Sequence, residues 1–215
     1  MAKKWRGIET TQKASNELRA VTITNRLGQK SMSLPRIDDG KRWAGYPGLA
    51  GTAKSIAAMI PYTTTYVEPF AGSAKVYQEF IKRGDWKYDR VILNDTSDFV
   101  NEWLNREFPA TTTPAMDFAK CIKKYDGPYT IFIIDGPWTK SYYNQGFSSF
   151  NRDTVKEYDT EIVELCKSIR GYFIITSRKE NKIFKDSGFN HKLIKSIYVV
   201  SGKYPRVMLS HNLLD

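Results

Sequence analysis

Short apolar runs alternate along this chain with longer stretches in which apolar residues recur every three or four positions. Tyr66-Val67 leads into Glu68, Val91-Ile92-Leu93 into Asn94-Asp95, and Ile131-Phe132-Ile133-Ile134 into Asp135, while residues 171–178 hold Tyr172-Phe173-Ile174-Ile175. Runs this short and this apolar predict strands buried on both faces, as in a parallel sheet. Between them, the stretch from the Glu68 turn to about residue 83 places Val76, Tyr77, Phe80 and Ile81 on one face, and residues 99–108 and 153–170 carry further helical patterns. A glycine-rich loop over 41–54 feeds a short amphipathic helix over 55–60 that stops at Pro61. Residues 193–200 and 203–210 predict an antiparallel pair joined at Ser201-Gly202. Strands and helices in alternation, closed by a hairpin and without internal repeat, predict an α/β domain.

The first 40 residues break this pattern. They mix basic and small polar residues, and the turn Asn25-Arg26-Leu27-Gly28-Gln29-Lys30-Ser31 between residues 21–24 and 31–34 suits a small hairpin. A partly ordered tail and a basic arm lying on nucleic acid both fit the composition. The expected organisation is therefore an N-terminal arm or hairpin over 1–40 and one domain over 41–215, long enough in a chain of 215 residues to bury a core unaided.

Charge and cysteine use narrow the class. A formal net charge of +10 fits a polyanionic partner, since clustered Lys and Arg release counterions from a phosphate backbone; many basic proteins nonetheless bind no nucleic acid. Cys121 and Cys166 sit in apolar helical stretches, which favours a reducing, cytoplasmic setting over a disulfide framework. With His191 and His211 both far from the cysteines, no zinc spacing exists and no metal is expected. The basic start has no apolar run behind it, so neither a signal peptide nor a membrane anchor is expected. The oligomeric state is left open.

The candidate chemistry lies at the strand ends. In Glu68-Pro69-Phe70-Ala71-Gly72-Ser73 a carboxylate stands at a strand tip, and residues small enough to let a ligand lie against the backbone follow before a helix begins. Open α/β sheets bind nucleotide-like ligands at such turns. Asp95, ending the next strand more than 20 residues on, is placed to grip a ribose diol, because a carboxylate accepts two hydrogen bonds from vicinal hydroxyls; helix capping by Asp95 or Thr96 is compatible with that role. Asp135-Gly136-Pro137-Trp138 repeats the form of an acid after an all-apolar run. The Gly-x-Gly-x-x-Gly phosphate turn of dinucleotide enzymes is missing, which disfavours a dehydrogenase.

Val67-Glu68-Pro69-Phe70-Ala71-Gly72-Ser73 resembles the S-adenosylmethionine-binding motif of DNA adenine-N6 methyltransferases, and Asp135-Gly136-Pro137-Trp138 resembles their Asp-Pro-Pro-Tyr tetrapeptide. The order, cofactor motif first, is that of the Dam-like group, and the resemblance covers about residues 41–215. It implies a Rossmann-like, seven-stranded methyltransferase sheet, S-adenosyl-L-methionine as cofactor, and DNA as partner. It further implies that Tyr46 and Lys54 close over the methionine end, that Glu68 through Ser73 line the cofactor, that Asp95 holds the ribose, and that Asp117 and Phe118 meet the cofactor's adenine. Asp135 and the Gly136 carbonyl would address the target amine, Pro137 would hold the turn and Trp138 would stack on the base. Tyr46 and Phe118 read equally as core rings, Lys54 as a solvated residue, and Trp138 as a core ring.

Three features depart from the family pattern. The spacing from Tyr46 to Lys54 is longer, Gly136 stands where proline is usual, and only a Thr-Pro loop and one helix occupy the place of the usual target-recognition domain. The loop over 139–152, with Tyr142, Tyr143, Phe147 and Phe150 among polar residues, fits a clamp on a strand or base and equally an ordinary surface loop. An RNA or other amine methyltransferase, or a binding module that keeps the fold without the activity, are the alternatives.

Overall fold

The computed structural model describes residues 21–24, 30–33, 50–84, 88–136, 152–195 and 206–213. Strands β1 (Val21–Thr24) and β2 (Lys30–Ser33) form an antiparallel hairpin in the register Val21↔Ser33, the second strand one residue earlier than the 31–34 read from the sequence. There follow α1 (Ala50–Ala57), β3 (Thr65–Glu68), α2 (Lys75–Ile81), β4 (Arg90–Leu93), α3 (Asp98–Glu107), α4 (Phe118–Tyr125), β5 (Thr130–Ile134), α5 (Arg152–Ser168), β6 (Tyr172–Arg178), α6 (Lys182–Lys185), β7 (Asn190–Lys195) and β8 (Arg206–His211).

Strands β3 to β8 make one sheet in the order β4-β3-β5-β6-β8-β7. β4, β3, β5 and β6 run parallel, and β8 lies antiparallel to both β6 and β7. The α/β architecture and the closing hairpin are thus as expected, but the described residues give six strands in this sheet rather than seven. Beside β4, where another strand could pair, Thr112 makes a single parallel bridge to Ile92. Its amide donates to the Val91 carbonyl at 2.9 Å and its carbonyl accepts from the Leu93 amide at 2.9 Å. Pro109 and Pro114 flank it closely; proline cannot donate to a ladder, so the pairing does not extend into a strand.

Alternation along the central strands divides the core into two layers. Tyr66, Ile131, Ile133 and Ile174 face α1, α2 and α3, whereas Val67, Phe132, Ile134 and Ile175 face α4, α5 and α6. All five residues of β5 are buried, as its apolar run required. Several edges differ from the pattern. α1 begins at Ala50, taking Gly51 and Lys54 into the helix instead of the loop. Ile81 is exposed, and the inner positions of α2 are Val76, Gln78 and Phe80. β7 begins at Asn190 rather than 193, because Asn190 pairs with His211 in the β8 register.

The chain leaves β3 for β4 on one side and returns to β5 on the other. The direction of winding therefore reverses between the carboxyl ends of β3 and β5, and such a reversal opens a crevice where doubly wound sheets bind ligands.

Candidate active site

Glu68 ends β3 and is 4% exposed, with no lysine or arginine paired to it among the described residues. The Tyr66 hydroxyl and the Tyr77 amide, the latter at 2.9 Å, both donate to its Oε1. Burial is the dominant influence and pushes this carboxyl up to about 8; the two donors pull it back and the nearby Asp135 charge raises it further. The same burial, with Glu68 as neighbour, raises the Tyr66 hydroxyl well above its ordinary value. Near neutral pH the pair is a protonated acid beside a neutral phenol.

The turn after Glu68 is held from β4. The buried Asn94 side chain donates from Nδ2 to the Pro69 carbonyl at 2.9 Å and to the Met116 carbonyl at 2.8 Å, and its Oδ1 accepts the Met116 amide at 2.9 Å. Its backbone accepts the Ala71 amide at 2.7 Å and donates to the Glu68 carbonyl at 2.9 Å. One amide side chain thereby fixes the glycine turn, the tip of β4 and the approach to α4. Gly72 takes φ 49°, a left-handed value that glycine adopts without steric cost. Ala74 takes φ 49° as well, at some conformational cost, while its methyl is fully buried. The Ser73 carbonyl accepts from Gln78 Nε2 at 2.6 Å.

Asp95 reaches across from the end of β4. Its Oδ2 accepts the Gly72 amide at 3.2 Å and its Oδ1 the Ser97 amide at 3.0 Å. Burial raises its carboxyl above the ordinary range, and the Ser97, Gly72 and Thr96 amides draw it back. Ser97, rather than Asp95 or Thr96, is the N-cap of α3 and accepts from Val100. Asp117 caps α4, accepting the Ala119 amide at 2.9 Å and the Lys120 amide at 3.4 Å. Phe118 is buried in the core, its ring 5.0 Å from Phe70 and 5.2 Å from Tyr158. Phe70, half-buried, lies between that core and the crevice; a Cβ at Gly136 would meet its Cε2 at 3.6 Å. Lys54 is exposed on α1. Tyr46, Pro137, Trp138 and the loop over 139–151 lie outside the described residues.

Asp135 follows β5 directly, and the Thr176 hydroxyl of β6 donates to its Oδ1. The register pairs Ile134 with Ile175, so Asp135 and Thr176 are the next positions on their strands. By alternation both lie on the α1 and α2 side of the sheet, as Glu68 does. Asp135 and Thr176 therefore stand level on adjacent strands, and Glu68, level with Ile133 in the β3 register, lies two positions back on the same face, with Gly72 and Asp95 on the β4 side. Sequence reading missed Asn94 and Thr176 as site residues. The Asn94-Asp95 pair offered a signal for the first; nothing local signalled the second.

The set is rich in acceptors at the rim, with two fixed carboxylates and a buried acid. It suits a ligand that presents hydroxyl and cationic or amine groups, as a sulfonium nucleoside does. Among the described residues no group of three or more His, Cys, Asp or Glu could hold a metal, and no helix is long and apolar enough to cross a membrane.

Residues 52–106, which contain the Glu68 turn and Asp95, match the family model of D12 class N6 adenine-specific DNA methyltransferases. The resemblance seen in the motifs is thus borne out over residues 52–106. No curated protein sequence matches the chain. Among solved structures, yhhF of Escherichia coli, a candidate methyltransferase, superposes with TM-score 0.50 at 14% identity, over 89% of this chain and 98% of that one. TrmN from Thermus thermophilus gives TM-score 0.53 at 14% identity over 77% of this chain, which spans 48% of that protein. SMU.472, a candidate methyltransferase solved in complex with SAH, gives 0.53 at 13% identity over 81% of this chain and 54% of its own. The fold is that of known methyltransferases.

Proposed function

We propose that this protein transfers a methyl group from S-adenosylmethionine to the N6 amino group of adenine in DNA. The observation that carries the reading is the meeting of the Glu68 to Gly72 turn with Asp135 at the point where the winding reverses between β3 and β5. The family match over the cofactor half supports the choice of cofactor and of adenine.

Bound S-adenosylmethionine supplies an activated methyl on a sulfonium. In this reading Asp95 accepts hydrogen bonds from its ribose hydroxyls, and Gly72, lacking a side chain, lets it lie against the backbone. Pro69, Phe70, Ala71 and Ser73 complete the cradle, with Lys54 and Tyr46 at the methionine end and Asp117 toward the adenine, while Phe118, buried in the core, backs the Phe70 ring and does not itself reach the cofactor. The remaining difficulty belongs to the acceptor, because the exocyclic nitrogen of adenine delocalises its lone pair into the ring. The Asp135 carboxylate and the Gly136 carbonyl, each accepting one amino hydrogen, favour a more tetrahedral nitrogen and aim it in line with the methyl. Trp138 stacks on the base once it leaves the helix, offsetting part of an unstacking cost of a few kcal/mol, and Pro137 holds the turn.

The test is transfer of labelled methyl from S-adenosylmethionine to duplex DNA, single-stranded DNA and RNA, with digestion to nucleosides. Labelled N6-methyladenine in DNA is the expected product. Label in RNA alone would move the substrate to RNA, and saturable cofactor binding with no transfer would leave a binding module.

A further inference from the structure

The proposed chemistry needs Asp135 to point one way. A carboxylate at the end of a strand turns freely about two bonds, and an acceptor that misses the amine by 1 Å loses much of its effect. Something in the fold has to hold it. The neighbouring strand provides a donor: Thr176, 2% exposed, donates its hydroxyl to Asp135 Oδ1 from the position following the Ile134↔Ile175 pair.

Three observations make this contact more than incidental. β6 is apolar through Phe173-Ile174-Ile175, and the Thr176 hydroxyl is the first polar side-chain group after that run on the way to the carboxyl end. Thr176 is locked in place by pairing on the far side with Leu209 of β8, whose ladder runs unbroken from Ile174↔His211 to Arg178↔Val207. As a β-branched residue it also has few rotamers, so the direction of its hydroxyl is set by the backbone of a central strand. The rigidity of the sheet is in this way passed to the carboxylate.

We infer that Thr176 is a positioning residue for methyl transfer, holding Asp135 by one oxygen so that its carboxylate faces the target amine. The inference rests on the proposed function, and it concerns the transfer step and not the hold on the cofactor, which belongs to the Asp95 and Gly72 side of the crevice. It assigns to β6 a part in a site that the motifs confine to β3, β4 and β5.

The experiment compares Thr176→Val, Thr176→Ser and the wild-type protein in single-turnover methyl transfer to the nucleic acid that the wild type prefers. S-adenosylmethionine affinity is measured calorimetrically on the same preparations, and thermal unfolding confirms that each is folded. Valine keeps the branched shape and removes the donor; serine keeps the donor. Thr176→Val is expected to lower the transfer rate about 10- to 100-fold, with cofactor affinity and substrate KM within about threefold of wild type, and Thr176→Ser to recover most of the rate. Equal rates for Thr176→Val and wild type would overturn the inference while leaving the proposed function standing. So would a loss shared equally by Thr176→Ser, or one matched by cofactor affinity. A wild-type protein that binds cofactor and methylates none of the nucleic acids would overturn the proposed function, and this inference with it.

Discussion

The Gly72 amide donates to Asp95 Oδ2 at 3.2 Å, joining the turn after β3 to the tip of β4 across 23 residues of sequence. This bond makes Asp95 both a brace for the turn and a candidate ligand, so the two roles fail together. Asp95→Ala is expected to weaken S-adenosylmethionine binding by roughly 10- to 100-fold, the range of one to two charge-assisted hydrogen bonds, as read by calorimetry. Asp95→Asn, which keeps one acceptor, should fall between. An alanine variant with unchanged affinity would remove Asp95 from the cofactor site.

Glu68 sets a pH dependence of stability. Its folded carboxyl stands at about 8, above the ordinary value of 4.5, because burial disfavours the charge. The unfolded chain gives up this proton at lower pH than the fold does. The contribution of the protonated acid is therefore complete below about 4.5 and is lost as pH rises toward 8, by on the order of a few kcal/mol. Glu68→Gln keeps a carbonyl acceptor for Tyr66 and Tyr77 and cannot ionise. Urea denaturation between pH 5 and 9 should show the wild type losing stability across this window and the variant changing much less.

Gly136 and Gly171 should respond in opposite directions to the same substitution. A Cβ on Gly136 would lie 3.5 Å from Ile162 Cδ1 and 3.6 Å from Phe70 Cε2, ordinary packing distances. Gly136→Ala is expected to stabilise by about 0.4–1 kcal/mol through the unfolded chain, measured by chemical denaturation.

At Gly171 the added atom would stand 2.5 Å from the Thr130 carbonyl oxygen and 2.7 Å from that of Gly127, both backbone atoms. The same loop is tied down by Asp126, which accepts the Arg170 amide at 2.9 Å and the Gly171 amide at 3.3 Å. Gly171→Ala is expected to cost about 1–3 kcal/mol. A neutral result would mean that β5 and β6 approach less closely than 2.5 Å implies.

The legible parts of the molecule were those with a local cause. The β5 run Ile131 to Ile134 reads as a buried strand because every residue is apolar, and it is buried throughout. The acids at Glu68, Asp95 and Asp135 stand at strand ends because each terminates such a run. What escaped the sequence depends on partners far along the chain. Asn94 is an unremarkable polar residue until Pro69 and Met116, 25 and 22 positions away, present their carbonyls to it. Thr176 looks like one more β-branched strand residue until the β5 register brings Asp135 beside it. The start of β7 was missed because an edge strand with exposed His191, Lys192 and Leu193 lacks apolar alternation. α6, four residues long, is too short to show a period.

The central claim is a division of labour between neighbouring strand tips, with cofactor held beside β3 and β4 and transfer driven from β5. Asp135→Ala tests it most directly when its S-adenosylmethionine affinity and its single-turnover methyl transfer are measured on one preparation. The account predicts affinity within about threefold of wild type and transfer reduced by at least about 10². Transfer at the wild-type rate, or affinity and transfer lost together, would contradict it.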